Sequence, residues 1–182
     1  PLGYHEDVAE LDFVSMYPSI IQTFNMSPET LVSDGDIDAG EGVKFKSEPI
    51  GLIPLLTTKL MTLRGLYKQQ YTIAKERNDA KATVLYKKQD AMKTAANSLF
   101  GYLDNMGSRL HNKVISQAIT RNGQELNKYC SKIARDAGYN VIYGDTDSIF
   151  IALGKLPPKG TPISSVLTDK EIEQLKAEGN KI

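Results

Sequence analysis

Three aspartates stand where strand-forming sequence gives way to a turn. Asp12 lies near the end of the stretch 8–14 (Val-Ala-Glu-Leu-Asp-Phe-Val), and Asp145 and Asp147 bracket Thr146 much further along the chain. Residues two apart on an extended or turning backbone point the same way, so Asp145 and Asp147 can face one cleft. If the strand ending at Asp12 lies beside that turn, three carboxylates converge. Such a cluster repels itself unless divalent cations fill it, and hard oxygen ligands select Mg2+. An Asp-rich hairpin tip also accounts for D-T-D taken alone, because Asp favours tight turns.

A second set of residues suits phosphate. Gln89, Lys93 and Asn97 recur at four-residue steps and form one polar stripe with Phe100 at its end, while Met92, Ala95, Ala96 and Leu99 lie largely on other faces. Arg64, on the preceding helical stretch, can face the same groove. Neither Lys93 nor Arg64 has a carboxylate four residues away, which leaves both cations available for a phosphate. A solvated, Lys-rich helix explains this stripe equally simply when it is taken in isolation.

The elements that must position these groups follow from pattern. Residues 8–14 mix alternation with β-branched side chains and read as a strand. Pro18 favours an extended Tyr17 and can open a helix over 18–24. Residues 33–49 are turn-rich, a surface connection or small hairpin. From Pro54 to about Ala74, Leu55, Leu56, Leu60, Leu63, Leu66 and Tyr67 recur at helical steps. After a turn near Asn78 and Asp79, a second helix spans about 80–99 and stops at Gly101 as a C-terminal cap. Two such helices with a short join make an antiparallel hairpin. A further helix covers about 113–137 and ends at Gly138. Residues 139–143, a tight turn at Gly144-Asp145, and 148–153 then make a β-hairpin. The tail, 154–182, is a proline-containing loop followed by a short polar helix capped near Thr168 and Asp169.

Composition becomes informative only when charge is resolved along the chain. The 182 residues carry formal net charge zero, yet the bases concentrate between Lys59 and Lys93 and the acids before residue 54. Acidic and basic segments side by side suit a site with metals on one wall and phosphates on the other. The 41% apolar content suffices for a core. The single cysteine, Cys130, excludes a disulfide framework and fits a reducing, intracellular setting, cytoplasm or nucleoid if prokaryotic. No apolar run approaches the roughly 18 residues of a membrane span, and no basic-then-apolar signal opens the chain, so a soluble protein with no membrane partner is expected.

Three motifs, in order, carry a family resemblance. D-F-V-S-M-Y-P-S-I at 12–20 is similar to the first palm motif of family B DNA polymerases. K-T-A-A-N-S-L-F-G-Y at 93–102 resembles their fingers motif, and Y-G-D-T-D-S at 143–148 their second palm motif. The resemblance implies an α+β fold: a polymerase palm with a small antiparallel sheet of split βαβ type, plus two-helix antiparallel fingers. It divides the chain into 1–53 (palm, first part), 54–101 (fingers), 102–154 (palm, second part) and 155–182 (palm-edge loop and short helix).

The same resemblance implies roles. Asp12 and Asp147 are the expected ligands of two Mg2+ ions, with the Phe13 carbonyl completing one site and Asp145 a secondary acid. Backbone amides of Ser15, Met16 and Tyr17 would cradle a triphosphate, and the Tyr17 ring would sit under the sugar and exclude a 2′-hydroxyl. Arg64 and Lys93 would grip phosphates with help from Asn97, beside Gln89 on the same stripe, and Phe100 would abut the nascent base pair. The implied reaction is template-directed nucleotidyl transfer from a dNTP to a primer 3′-hydroxyl on primer–template DNA. Family members usually carry Tyr where this chain has Phe100, which removes a hydroxyl from that position.

The resemblance covers nearly all of residues 1–154. Proofreading exonuclease and thumb regions, supplied in cis or in trans, are the expected partners of a core fragment. Two other functions stay open on the sequence: a catalytically silent nucleic-acid-binding module derived from a polymerase, and an RNA-making or RNA-directed polymerase of similar hand shape. Intact Asp12, Asp147 and Tyr17 argue against the first, and a bulky Tyr17 beside the sugar argues against RNA synthesis.

Overall fold

A computed structural model of the chain describes residues 7–153. It is a mixed α+β structure of small antiparallel sheets and four helices. The expected tail helix, at 155–182, lies outside the described residues. The described chain divides into two compact units. One is built from the described parts of Pro1–Phe13 and Glu125–Ile182, the other from Val14–Gln124.

In the first unit β1 (Val8–Asp12) pairs with β6 (Ser148–Ala152), which pairs in turn with β5 (Asn140–Asp145), giving the antiparallel order β1-β6-β5. Alternation decides its faces. Val141, Ile149 and Ile151, with Ala9 and Leu11 beside them, pack with Ala134 and Cys130 of α4 (Lys113–Asp136). The other face carries Glu10, Asp12, Tyr143 and Phe150, the two rings 5.6 Å apart. Burial pushes the Cys130 thiol pKa up, which keeps it an inert packing group. α4 ends as the sequence predicts. Gly138 takes φ +89°, and the Gly138 and Tyr139 amides donate to the carbonyls of Arg135 and Ala134.

Two strand details differ from expectation. The hairpin turn falls at Thr146 and Asp147 rather than Gly144 and Asp145, so Asp145 is the last residue of β5. The register also shifts between Val141 and Tyr143: Val141 lies opposite Ile151, but Tyr143 lies opposite Phe150. This bulge at Ile142 exchanges the faces of all that follows on β5. Without it, Tyr143 and Asp145 would continue the buried row begun by Val141.

The second unit holds α1 (Met16–Thr23), the two long helices α2 (Leu52–Glu76) and α3 (Ala82–Asp104), the first half of α4, and a small sheet. Residues 33–49 resolve into that sheet, in which β4 (Lys44–Phe45) lies between β2 (Leu31–Val32) and β3 (Ile37–Asp38). Arg121 of α4 fastens its loop by donating to the carbonyls of Ala39 and Gly40, both at 2.9 Å, and by pairing with Glu41. α2 and α3 pack as the predicted antiparallel hairpin. Tyr71 meets Tyr86 at 5.5 Å between ring centroids, and the Lys88 ammonium lies 5.4 Å from the Tyr67 ring.

Helix ends show where tertiary contacts overrule local signals. α1 starts at Met16, with Tyr17 helical and Pro18 buried in the first turn, where its missing N–H costs no helical bond. α2 is capped from outside: Asn25 Oδ1, Glu29 Oε1 and Ser27 Oγ accept from the amides of Gly51, Leu52 and Ile53. α3 runs through Gly101 instead of stopping there. A helical glycine costs about 1 kcal/mol, but continuing buries Leu103 completely, a gain of roughly 1.5–3 kcal/mol. The Leu103 carbonyl then accepts from the Asn112 amide at 2.9 Å. Among the described residues no helix is long and apolar enough to cross a membrane.

Candidate active site

The carboxylates of the first unit gather at one end of its sheet. Register sets Asp12 opposite Ser148, and Ser148 opposite Asp145, so the three side chains form one row on the face away from α4. Ser148 is buried between two exposed aspartates. Asp147 follows in the turn. Its carbonyl accepts the Phe13 amide at 2.7 Å, which ties the turn to the residue immediately after Asp12. Asp12, Phe13, Asp145 and Asp147 therefore lie at one end of the sheet. Exposed carboxylates and a nearby main-chain carbonyl are hard oxygen donors. A cation bound by one or two carboxylates, with its other positions open to water and phosphate, is how Mg2+ is usually held. The donor set fits such an ion. Among the described residues no group of three or more His, Cys, Asp or Glu side chains is placed to hold a metal ion, so the expected convergence of all three carboxylates on one ion is not seen.

The second unit brings Ser15, Arg64, Tyr17 and Phe100 together at the start of α1. Ser15 takes the left-handed conformation, φ 59° and ψ 47°, and turns the chain into the helix. A non-glycine residue there is strained, and such strain persists only where neighbours enforce it. The enforcing contact is visible. Arg64 of α2 donates through Nη1 to Ser15 Oγ at 2.9 Å. Engaged this way, Ser15 makes no side-chain cap on α1, and the first amides of a helix have no partner within it. Among the described residues Arg64 Nε is buried with no hydrogen-bond partner, a donor that a phosphate oxygen would satisfy.

Tyr17, in the first turn of α1, lies 4.7 Å from the ring of Phe100 at a tilt of 45°. The register that brings Tyr71 to Tyr86 carries Arg64 level with Lys93, each two turns further along its helix. Lys93 and Asn97 are exposed on α3, and Gln89 is half-buried on the same stripe. The cavity of about 360 Å³ bounded by Glu41, Val114, Arg121 and Gln124 contains none of these residues.

Two positions escaped the sequence reading. Gly123 of α4 is buried against α1. A methyl group there would come within 3.0 Å of Met16 Sδ and 3.1 Å of Tyr17 Cε1. No motif marks it, since a lone glycine within a helical pattern signals only lowered propensity. Gly123→Ala should destabilise the protein by about 1 kcal/mol, overpacking against Met16 and Tyr17 being partly offset by the roughly 1 kcal/mol that alanine gains over glycine in a helix, read as a slightly lowered thermal midpoint. An unchanged midpoint would mean that Met16 and Tyr17 yield freely. The second position is Asn127, whose carboxamide donates to the carbonyls of Asp145 at 3.2 Å and Ser148 at 2.9 Å.

Comparison with known proteins gives the family. Residues 2–161 match DNA polymerase family B. The chain belongs to that family. It is 38% identical over 152 residues to a DNA polymerase of Archaeoglobus fulgidus, covering 82% of this chain and 19% of that protein. It is 33% identical over 162 residues to a DNA polymerase of Pyrococcus glycovorans, covering 86% of this chain and 21% of that protein. The solved structure of the family B DNA polymerase from Pyrobaculum calidifontis superposes with a TM-score of 0.71 at 29% identity, over 96% of this chain and 23% of that one. The chain thus spans a minor part of the length of the relatives it matches.

Proposed function

We propose that the full-length protein carrying this chain synthesises DNA on a template, transferring nucleotides from dNTPs to a primer 3′-hydroxyl. In this reading the chain is the catalytic core, with α2 and α3 as fingers and the β1-β6-β5 sheet as palm. The observation that carries it is the joining of Asp12 to the turn of Asp147, by strand register and by the Phe13–Asp147 hydrogen bond, in a chain of this family.

Asp12 and Asp147 would hold the divalent cations, with the Phe13 carbonyl as a further ligand and Asp145 beside them. When bound, two such ions lower the pKa of the attacking hydroxyl and neutralise the departing pyrophosphate. Phosphoryl transfer asks for positioning and charge rather than covalent help. The amides at Ser15, Met16 and Tyr17 offer a triphosphate the positive end of α1. Arg64 and Lys93 supply cations for its oxygens, with Gln89 and Asn97 on the same stripe. The Tyr17 and Phe100 rings form an apolar floor suited to the sugar and the new base pair. Sequence information comes from base pairing, which is why the chain needs no residues that read bases.

Primer extension by the full-length protein tests this. Each added nucleotide should be the complement of the template. Chelation of divalent cations should stop synthesis and Mg2+ should restore it. Binding of primer–template without extension would instead support the silent-module reading.

A further inference from the structure

We propose that Asn127 is a positioning residue that fixes the metal-binding turn, an inference that rests on the polymerase reading of Asp147. The turn Thr146–Asp147 is a two-residue hairpin tip with Asp145, Thr146 and Asp147 all exposed. Exposed tips are where chains are ordinarily loosest. A ligand set for phosphoryl transfer must hold its place to about 0.5 Å. Something has to restrain this tip.

Asn127 does so from α4. Its single amide group spends both hydrogens on the tip, one on the carbonyl of Asp145 and one on that of Ser148. Those carbonyls belong to the two residues that flank the turn, so one side chain clamps both legs of the hairpin to a long helix. The Phe13 amide holds Asp147 from the other side.

The strand is built around the clamp. Gly144 lies opposite Ile149 on the face toward α4, and a Cβ on it would come within 2.9 Å of Asn127 Oδ1. Any larger residue would have to displace the carboxamide. The next nearest atom to that Cβ, the Ser148 carbonyl oxygen, lies at an ordinary 3.7 Å. The need for glycine at 144 is thus created by Asn127 and not by the turn. Because β5 and β6 remain paired through their own backbone bonds, losing the clamp should loosen the tip without unfolding the sheet.

The test uses the full-length enzyme. Asn127→Leu keeps the size of the side chain and cannot donate. It should slow single-turnover incorporation about 10- to 100-fold, the scale of a misplacement near 1 Å. The dNTP and primer–template affinities should stay within about two-fold, and half-maximal rate should require several-fold more Mg2+. Independently of activity, hydrogen exchange of the segment 145–148 should quicken about tenfold, while the thermal midpoint falls by only about 3 °C.

A double-mutant cycle isolates the contact. Gly144→Ala should cost rate and exchange protection in the wild-type background and almost nothing in Asn127→Ala. Equal cost in both backgrounds would overturn the clamp, as would unchanged rate and exchange in Asn127→Leu. If Asn127→Leu does not fold, the cycle with Asn127→Ala still decides. Asp147→Asn, run alongside, separates the two ideas. Full activity there overturns the polymerase assignment of Asp147, whereas loss of activity there with no effect at Asn127 overturns the clamp alone.

Discussion

Asp147→Asn in the full-length protein is expected to lower nucleotide incorporation by about 10³-fold or more while leaving primer–template affinity within about two-fold. On the proposed assignment the carboxylate is one of two that would hold the cations, and asparagine would contribute a neutral oxygen in its place. Losing several kcal/mol of charge stabilisation in the transition state, at 1.36 kcal/mol per tenfold, gives an effect of this size. Affinity for the duplex is spared because it rests on many phosphate contacts that do not involve this group. Asp145→Asn should cost much less, since Asp145 lies two strands from Asp12, across Ser148, rather than beside Phe13. Single-turnover incorporation and duplex binding, measured on the same samples, check both. Near-normal turnover in Asp147→Asn would remove the assigned metal role.

Tyr17→Ala should raise the use of ribonucleotides relative to deoxyribonucleotides on the order of 10²-fold, the scale at which a shape-closed site refuses one added hydroxyl. The structure gives the ring little freedom to retreat. Phe100 lies 4.7 Å from it on one side, and Gly123 approaches so closely that even a methyl group would press on the ring. A side chain wedged in this way can exclude volume, which a mobile one cannot. The ratio of kcat/KM for paired ribo- and deoxyribonucleotides is the measurement. An unchanged ratio would place the discrimination elsewhere.

Much of this architecture was legible because its signals are local. The alternation read as a strand over 8–14, the apolar steps through α2 and the Gly138 stop depend on a few neighbouring residues, and each element appears, though the strand ends at Asp12 where the chain turns into α1. The hairpin around D-T-D forms, but its turn lies two residues later than expected, at Thr146 and Asp147, with Gly144 inside the strand. The features that escaped are those made by distant partners. Ser15 is left-handed with Arg64 holding its hydroxyl, α2 is capped by Asn25, Ser27 and Glu29, and α3 passes through Gly101 to bury Leu103. Asn127 carries no motif at all. Its meaning comes only from the two carbonyls that folding brings to it.

The extra residue at Ile142 makes the chemistry of β5 depend on counting. Between the dry side chain of Val141 and the wet one of Asp145 the chain must change parity once, and it does so by having one residue more than its partner strand. Exchanging side chains leaves that count intact. Removing Ile142 would leave a regular ladder with Asp145 still opposite Ser148 on the face away from α4, whereas straightening the strand with Ile142 retained would turn the carboxylate toward α4. The face on which the carboxylate stands is therefore set by whether the surplus residue is bulged out or taken into the ladder.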